Sequence, residues 1–204
     1  LGVNFNFAPV ADINDNPDNP VINLRSYSEN KIMVRDFCKA YVEGSIEGGV
    51  IASAKHFPGH GNTRVDSHND LPVQSIMIGH LNVPAFEPNK DLPASLSYNI
   101  LTKLLKEKLG FKGLIITDAL DMKAVTNYYS TNEACVKAFK AGNDILLMPS
   151  NIRDGITAIY DAVVKRDITE ARLNESVRKI LSAKRWLKLD RTKFINNKNI
   201  PKRI

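Results

Sequence analysis

Side chains that can transfer protons or hold charge are concentrated in one stretch of this sequence, residues 50–72. The titratable groups of this stretch are Lys55, His56, His60, Arg64, Asp66, His68 and Asp70. Apolar residues from Val50 to Ala54 predict a strand buried on both faces, which ends at Pro58 and Gly59. A buried strand that leads into a reactive loop is typical of α/β enzymes, because the sheet is rigid while the loop is free to vary.

Asp66 and His68 lie two residues apart in this loop. The carboxylate can accept a hydrogen bond from one imidazole nitrogen and leave the other nitrogen facing a substrate. Such a pair fixes the imidazole tautomer and raises its pKa, which produces a proton donor and acceptor. The alternative is a structural turn in which Asp66 bonds the backbone of its own loop.

Asp118 ends a second apolar strand, in the segment IITDALDM. A carboxylate at the carboxyl end of a parallel strand lies on the face where barrel enzymes do their chemistry. The alternative interpretation is a helix cap, for which aspartate is well suited, and Asp121 competes for either role.

Two basic residues have open interpretations. Arg25, in a polar loop rich in asparagine, aspartate and proline, is either a solvated loop charge or a planar fork that binds sugar hydroxyls or a carboxylate. Lys55 is either a buried ion-pair partner or a group that holds a substrate hydroxyl at the mouth of the strand.

A metal site is a rival hypothesis, because histidines at strand ends also build metallohydrolases. Its candidate ligands are His56, His60 and His80. Pro58 and Gly59 prevent a helical turn that would align His56 with His60, and no cluster of acidic ligands accompanies them.

Hydrophobic periodicity predicts single strands alternating with single helices, which indicates a parallel sheet. The strands are expected at 3–10, from 50 to Pro58, at 75–83, at 113–117 and at 144–149, and the helices at 31–47, 99–109, 131–141, 152–165 and 170–187. About five strands are too few for a complete (β/α)₈ barrel, which has eight. The residues between the second and third strands contain no helical pattern, so either a crossover helix is missing or those strands are not neighbours.

The composition is that of an ordinary globular protein of 204 residues, 43% hydrophobic and 25% charged. The formal charge of +6 is concentrated beyond Lys184, without interleaved aromatics, so we expect no nucleic-acid partner. No apolar run approaches the ~20 residues of a membrane helix. Cys38 and Cys135 lie singly in helical patterns and are expected to be buried thiols.

The segments KHFPGHGNTRVDSH and GLIITDALDM together resemble glycoside hydrolase family 3, in its β-N-acetylglucosaminidase branch. APVADIN and PVINLRSYSEN resemble earlier segments of the same family, so the resemblance covers nearly all of residues 1–190. It implies a (β/α)₈ TIM barrel and retaining hydrolysis of terminal β-linked N-acetylhexosamine, on peptidoglycan-derived or chitin-like sugars. It implies neither a metal nor an organic cofactor.

The resemblance also implies roles for individual residues. Asp118 matches the nucleophile, His68 the acid/base and Asp66 its dyad partner, while the residues matching the sugar-binding groups are Arg25, Lys55 and His56. Asp12 is expected to shape the site and is not among the residues assigned to catalysis or sugar binding.

Two departures from the family pattern are expected to matter. Barrel strands normally precede the segment that starts at Leu1, and a crossover helix normally lies near Pro72. We therefore expect an incomplete barrel at 1–189 and a basic tail or linker at 190–204, with further domains or the missing barrel segment as partners. The remaining alternatives are the metal-dependent hydrolase and a non-catalytic fragment of the family. A bacterial cytoplasmic and a periplasmic or envelope location are equally compatible with the sequence.

Overall fold

The computed structural model describes residues 2–16, 18–59 and 73–191. Its centre is a parallel sheet in which each strand pairs with the next one along the chain. The strands are β1 (Phe5–Asn6), β2 (Ile51–Phe57), β3 (Ser75–Ile78) and β4 (Leu114–Thr117). Parallel strands in sequence order are the arrangement of a (β/α) barrel, and the predicted fold class is confirmed as an open part of such a barrel.

β2 and β3 are direct neighbours, with Ser53 opposite Ser75 and Ala54 opposite Ile76. The alternative that these strands are not neighbours is therefore wrong. The connection between them includes residues 60–72, which lie outside the described part of the chain, so the prediction of a missing crossover helix stays a prediction.

The segment predicted as a fifth strand, 144–149, makes only an isolated parallel bridge, between Ile145 and Ile116. It nevertheless runs beside β4, because the Ile145 N–H donates to Ile115 O and the Thr117 N–H donates to Ile145 O, both at 3.1 Å. The Thr117 hydroxyl then accepts the Leu147 N–H at 2.9 Å. A side chain thus replaces the next backbone partner, and the regular ladder ends there.

β1 and β3 are also shorter than predicted. The regular ladder of β1 ends at Asn6, although the Ser53 and Lys55 N–H groups still donate to Ala8 O and Pro9 O. A bridge between Val10 and Lys55 follows. β3 ends at Ile78, although the apolar pattern predicted a strand as far as Val83.

Helices cover the outside of the sheet, close to the predicted positions. They are α1 (Lys31–Glu47), a π-helix (Asn99–Lys108), α2 (Lys123–Thr126), α3 (Thr131–Ala141), α4 (Ile152–Val164) and α5 (Glu170–Trp186). The spacing of Ser130 and Glu133 predicts a capping box, and Thr169 precedes the last helix as a plausible cap. Both predictions are confirmed: Ser130 forms a capping box with Glu133, and Thr169 accepts the Arg172 N–H. The short helix α2 was not predicted, because four residues are too few to show a period.

The main core lies between the sheet and two helices, α1 and the π-helix. From α1 it receives Val34, Cys38 and Val42, which are spaced four residues apart and so lie on one face. The helical period also assigns Ile32 and Phe37 to the apolar stripe of this helix, but they are 52% and 50% exposed. Cys38 and Cys135 are buried free thiols, as expected.

A buried carboxylate, Asp144, holds α5 against the start of β4. Its side chain is fully buried; Oδ1 accepts the Ser176 hydroxyl at 2.6 Å, and Oδ2 accepts the Ile115 N–H and the Lys179 ammonium, both at 3.1 Å. Arg172 Nη1 lies 3.5 Å from Oδ1. One aspartate therefore connects a helix, a strand and two cations at the amino end of the sheet.

Candidate active site

The candidate residues meet at the carboxyl edge of the sheet. Asp118 follows β4 directly, and Lys55 and His56 lie near the carboxyl end of β2. Because parallel strands present their carboxyl ends at the same edge, the topology brings these three residues to one mouth. The predicted position of Asp118 at a strand end is confirmed.

Asp118 is fixed at both its backbone and its side chain. Its N–H donates to Ile78 O at 2.8 Å, and its Oδ1 accepts the Ala119 N–H at 2.8 Å. The side chain is 22% exposed. Helix α2 begins only at Lys123, after Met122, so the interpretation of Asp118 as a helix cap is wrong. The competing carboxylate, Asp121, is exposed.

His56 is held by a second carboxylate, Asp12. The ring Nδ1 lies 2.7 Å from Asp12 Oδ2, and the His56 backbone N–H donates to the same oxygen at 3.1 Å. A carboxylate accepts and does not donate, so Nδ1 carries the hydrogen of this bond. Nε2 is thereby directed to Asp118 Oδ2, which lies 3.8 Å away.

Close packing between β2 and β3 also fixes His56. A Cβ placed on Gly79, just after β3, would lie 3.2 Å from the His56 Cβ. This separation is tight, so glycine at position 79 lets the imidazole sit against the end of β3.

Asp12 is the residue whose role sequence reasoning underestimated. Its side chain is fully buried, and its partner lies 44 positions away in the chain. The signal that identified Asp118, an aspartate after an apolar strand, is present here too, in APVAD. Asp12 is the group that orients His56.

Asp12→Asn is expected to lower kcat/KM of the intact protein by about tenfold to a hundredfold. An asparagine amide can turn its NH₂ toward Nδ1, so it no longer selects one tautomer or ring orientation. Steady-state kinetics on an aryl N-acetyl-β-glucosaminide, the kind of substrate that the resemblance implies, measures the effect. Asp18→Asn, an exposed position in the same loop, is the matched control, and equal kinetics in the two variants would exclude the orienting role.

Lys55 experiences the charges of the site. Burial lowers its pKa, and the positive charge of Arg25 lowers it further, while the carboxylates of Asp118 and Asp12 oppose these effects. Lys55 thus lies within electrostatic reach of both Arg25 and Asp118. Arg25 itself is exposed at the end of a 3₁₀ turn, Asn23–Arg25, where Nη1 donates to Val21 O at 3.2 Å.

The predicted acid/base pair, His68 and Asp66, lies in residues 60–72, outside the described residues, and its assignment stays a prediction. So does the assignment of Asp118, Arg25, Lys55 and His56 to catalysis and sugar binding.

The metal hypothesis requires His80 as a ligand, and its geometry does not fit that role. Nε2 lies 2.8 Å from Ala119 O, which cannot donate, so Nε2 carries a hydrogen. Nδ1 lies 2.6 Å from the Ser95 hydroxyl. Both nitrogens are therefore engaged by protein groups. Among residues 2–16, 18–59 and 73–191, no group of three or more histidine, cysteine, aspartate or glutamate side chains could hold a metal.

The sequence matches the glycosyl hydrolase family 3 N terminal domain over residues 1–75 and 70–183. The chain therefore belongs to glycosyl hydrolase family 3, and the resemblance inferred from the motifs is confirmed.

Individual relatives carry names from the predicted branch. Beta-hexosaminidase A of Pseudoalteromonas piscicida is 35% identical over 90% of this chain and 38% of its own length. A beta-N-acetylglucosaminidase/beta-glucosidase of Cellulomonas fimi is 30% identical over 94% of this chain and 40% of its own length. The structure of a glycoside hydrolase family 3 beta-N-acetylglucosaminidase from Paenibacillus sp. str. FPU-7 matches with a TM-score of 0.90 and 34% identity, over 97% of this chain and 43% of that one. This chain thus spans about two fifths of these relatives.

Proposed function

We propose that the intact protein is a retaining glycoside hydrolase that removes terminal β-linked N-acetylglucosamine. The observation that carries the proposal is the Asp118 carboxylate at the carboxyl edge of the sheet. One of its oxygens is held by the Ala119 N–H, and the other faces the His56 ring. A fixed carboxylate that is partly accessible from the mouth of the sheet is suited to attack an anomeric carbon from below.

In the first step, an Asp118 oxygen forms a bond to the anomeric carbon as the bond from that carbon to the leaving oxygen breaks. The leaving oxygen takes a proton from His68, which Asp66 orients. In the second step, His68 takes a proton from water, the water oxygen bonds to the anomeric carbon, and the Asp118 carboxylate is released. An imidazole takes the place of the usual carboxylic acid because its ordinary pKa allows it to give and accept a proton near neutrality.

His56, Lys55 and Arg25 bind the sugar in this proposal. His56 can present Nε2 to a hydroxyl group of the sugar, because Nδ1 is already bonded to Asp12. Lys55 supplies positive charge within electrostatic reach of Asp118 and can donate to a sugar hydroxyl. Arg25 supplies a planar group with several donors at the rim of the site.

The names of the relatives support N-acetylhexosaminides as the substrate class, and we propose peptidoglycan-derived or chitin-like sugars within it. The chemistry of the proposed residues requires no metal or organic cofactor.

In the described part of the chain, no helix has both the length and the apolar character needed to cross a bilayer.

We propose the remaining barrel segment of a longer protein as a structural partner. The sheet is open, and α4 presents an exposed apolar row at fourth-residue intervals. That row consists of Ile152, Ile156, Tyr160 and Val164, each more than 60% exposed. A further strand and helix beside α4 would cover this face, and the greater length of the relatives supports such a partner.

A fluorinated N-acetylglucosaminide inactivator tests the reaction class, because it traps the covalent glycosyl-enzyme. We expect mass spectrometry of the digested intact protein to show the label on Asp118. A label on Asp121 would refute the assignment of the nucleophile.

Two controls distinguish the alternatives. A chelator should leave turnover unchanged, whereas loss of turnover would favour the metal-dependent hydrolase, whose candidate ligands were His56, His60 and His80. Absence of both label and turnover, with Asp118 present, would favour a non-catalytic member that binds sugar without cleaving it.

A further inference from the structure

His80 is a histidine beside the proposed nucleophile that the sugar-binding assignments do not use. It lies just after β3, at the same edge of the sheet as Asp118. Its two ring nitrogens contact Ser95 Oγ at 2.6 Å and Ala119 O at 2.8 Å. Neither nitrogen is left to contact a sugar, so His80 can act only through its protein partners.

Ala119 is the residue whose N–H holds Asp118 Oδ1. The Asp118 N–H is itself held by Ile78 O at 2.8 Å, so the backbone is fixed on the amino side of Asp118 by β3. On the carboxyl side, His80 Nε2 holds Ala119 O, which belongs to the peptide unit of Ala119 and Leu120. The same unit is held by the Met122 N–H, which donates to Ala119 O at 3.2 Å, and by the Leu120 N–H, which donates to Leu147 O at 2.9 Å. The Ala119 N–H belongs to the peptide unit between the two that are held, so contacts on both sides restrict its direction and with it the angle of the Asp118 carboxylate. His80 supplies the side-chain contact of this set.

The surroundings of His80 favour one tautomer of the neutral ring. Ala119 O can only accept, so Nε2 carries the hydrogen, and Nδ1 of the neutral ring accepts the hydrogen of the Ser95 hydroxyl. Ser95 is fully buried, and its carbonyl is held in turn by Asn143 Nδ2 at 2.8 Å. Burial lowers the pKa of His80, against the opposing effects of the Ala119 bond and of Asp118, which favours the neutral ring.

We propose that His80 is a positioning residue for the Asp118 carboxylate, acting through its hydrogen bond to Ala119 O. The proposal rests on the proposed function, in which Asp118 is the nucleophile. His80 thereby holds the attacking oxygen at the angle that bond formation requires, without touching the sugar.

Replacing His80 by glutamine or by asparagine distinguishes its bond to Ala119 O from its bond to Ser95, because each of these side chains carries one neutral amide. The amide of His80→Gln reaches the place of Nε2 and can still donate to Ala119 O. The shorter amide of His80→Asn reaches only the place of Nδ1, so it keeps the Ser95 contact and loses the Ala119 bond. We expect kcat/KM of the intact protein to fall about tenfold to a hundredfold in His80→Asn, mainly through kcat, and to stay near wild type in His80→Gln. Ser95→Ala, which keeps the Ala119 bond, should also stay near wild type.

The decisive measurement uses azide in an Asp118→Gly background, with a nitrophenyl N-acetyl-β-glucosaminide as substrate. Azide attacks the anomeric carbon from the vacated face, the nitrogen–carbon bond forms, and nitrophenolate leaves with the electron pair of the broken bond. The product is the α-glycosyl azide. Because no carboxylate remains to be oriented, adding His80→Asn should change the azide-dependent rate by no more than about twofold.

Each outcome bears on the proposal. His80→Asn could lower the azide-dependent rate of the Asp118→Gly protein by the same factor as it lowers the rate of the protein that retains Asp118. That result would make His80 a structural residue and overturn the positioning role. Equal losses in His80→Asn and His80→Gln, a loss in Ser95→Ala like that in His80→Asn, or no loss in any variant would also overturn it. Failure of Asp118→Gly alone to form the azide is a separate result: it would overturn the proposed function itself, and the positioning role with it.

Discussion

Replacing Asp118 by alanine is expected to reduce turnover of an aryl N-acetyl-β-glucosaminide by at least ~10⁴-fold in the intact protein. The carboxylate is the group that forms the covalent intermediate, and no other described side chain occupies its position after β4. Removing it eliminates the first chemical step and leaves only the contributions of binding and proton transfer. Steady-state and single-turnover kinetics measure the loss.

The best control for this experiment is Asp121→Ala. Asp121 has the same chemistry three residues later, but it is exposed and lies beyond the turn that fixes Asp118. We expect Asp121→Ala to keep nearly full activity. If Asp121→Ala lost activity while Asp118→Ala stayed active, Asp121 would be the nucleophile. The assignment of Asp118, which rests on the bond from the Ala119 N–H, would then be wrong.

The largest expected effect on stability comes from Asp144. Asp144→Ala should lower the free energy of unfolding by about 3–5 kcal/mol. The substitution leaves the Ile115 N–H and the Ser176 hydroxyl without their acceptor, and it deprives Lys179 of a contact at 3.1 Å. Urea unfolding followed by tryptophan fluorescence is a suitable probe, since Trp186 lies at the end of α5.

Asp161→Ala is the matched control, because Asp161 is exposed on α4. A surface substitution of this kind should change the free energy of unfolding by no more than about 0.5 kcal/mol. If Asp144→Ala were as mild as this control, the buried carboxylate would contribute little to the docking of α5.

Several features of the fold could be predicted from the sequence because they depend on local physics. The helix at 31–47 was predicted with its observed bounds, because its apolar residues repeat with the helical period and two glycines follow it. The capping box of Ser130 and Glu133 is a contact over three residues, so its spacing alone specifies it. The position of Asp118 followed from the length of the apolar run before it.

Predictions were less accurate where side chains compete with the backbone. The segment at 144–149 has the composition of a strand, but the Thr117 hydroxyl takes the Leu147 N–H and ends the ladder. Residue composition indicates whether a segment tends to pair as a strand. It does not show whether a backbone carbonyl or a side chain accepts each of its N–H groups.

What the sequence by itself determined was therefore the order of strands and helices, the family, and the placement of Asp118, Lys55 and His56 at strand ends. What only the tertiary structure decided was how these groups are held. Asp12 meets His56 across 44 positions of chain, and His80 meets Ala119 across 39. Such pairs depend on the register of parallel strands, which places distant residues at one edge of the sheet, and no local spacing encodes which of them will touch.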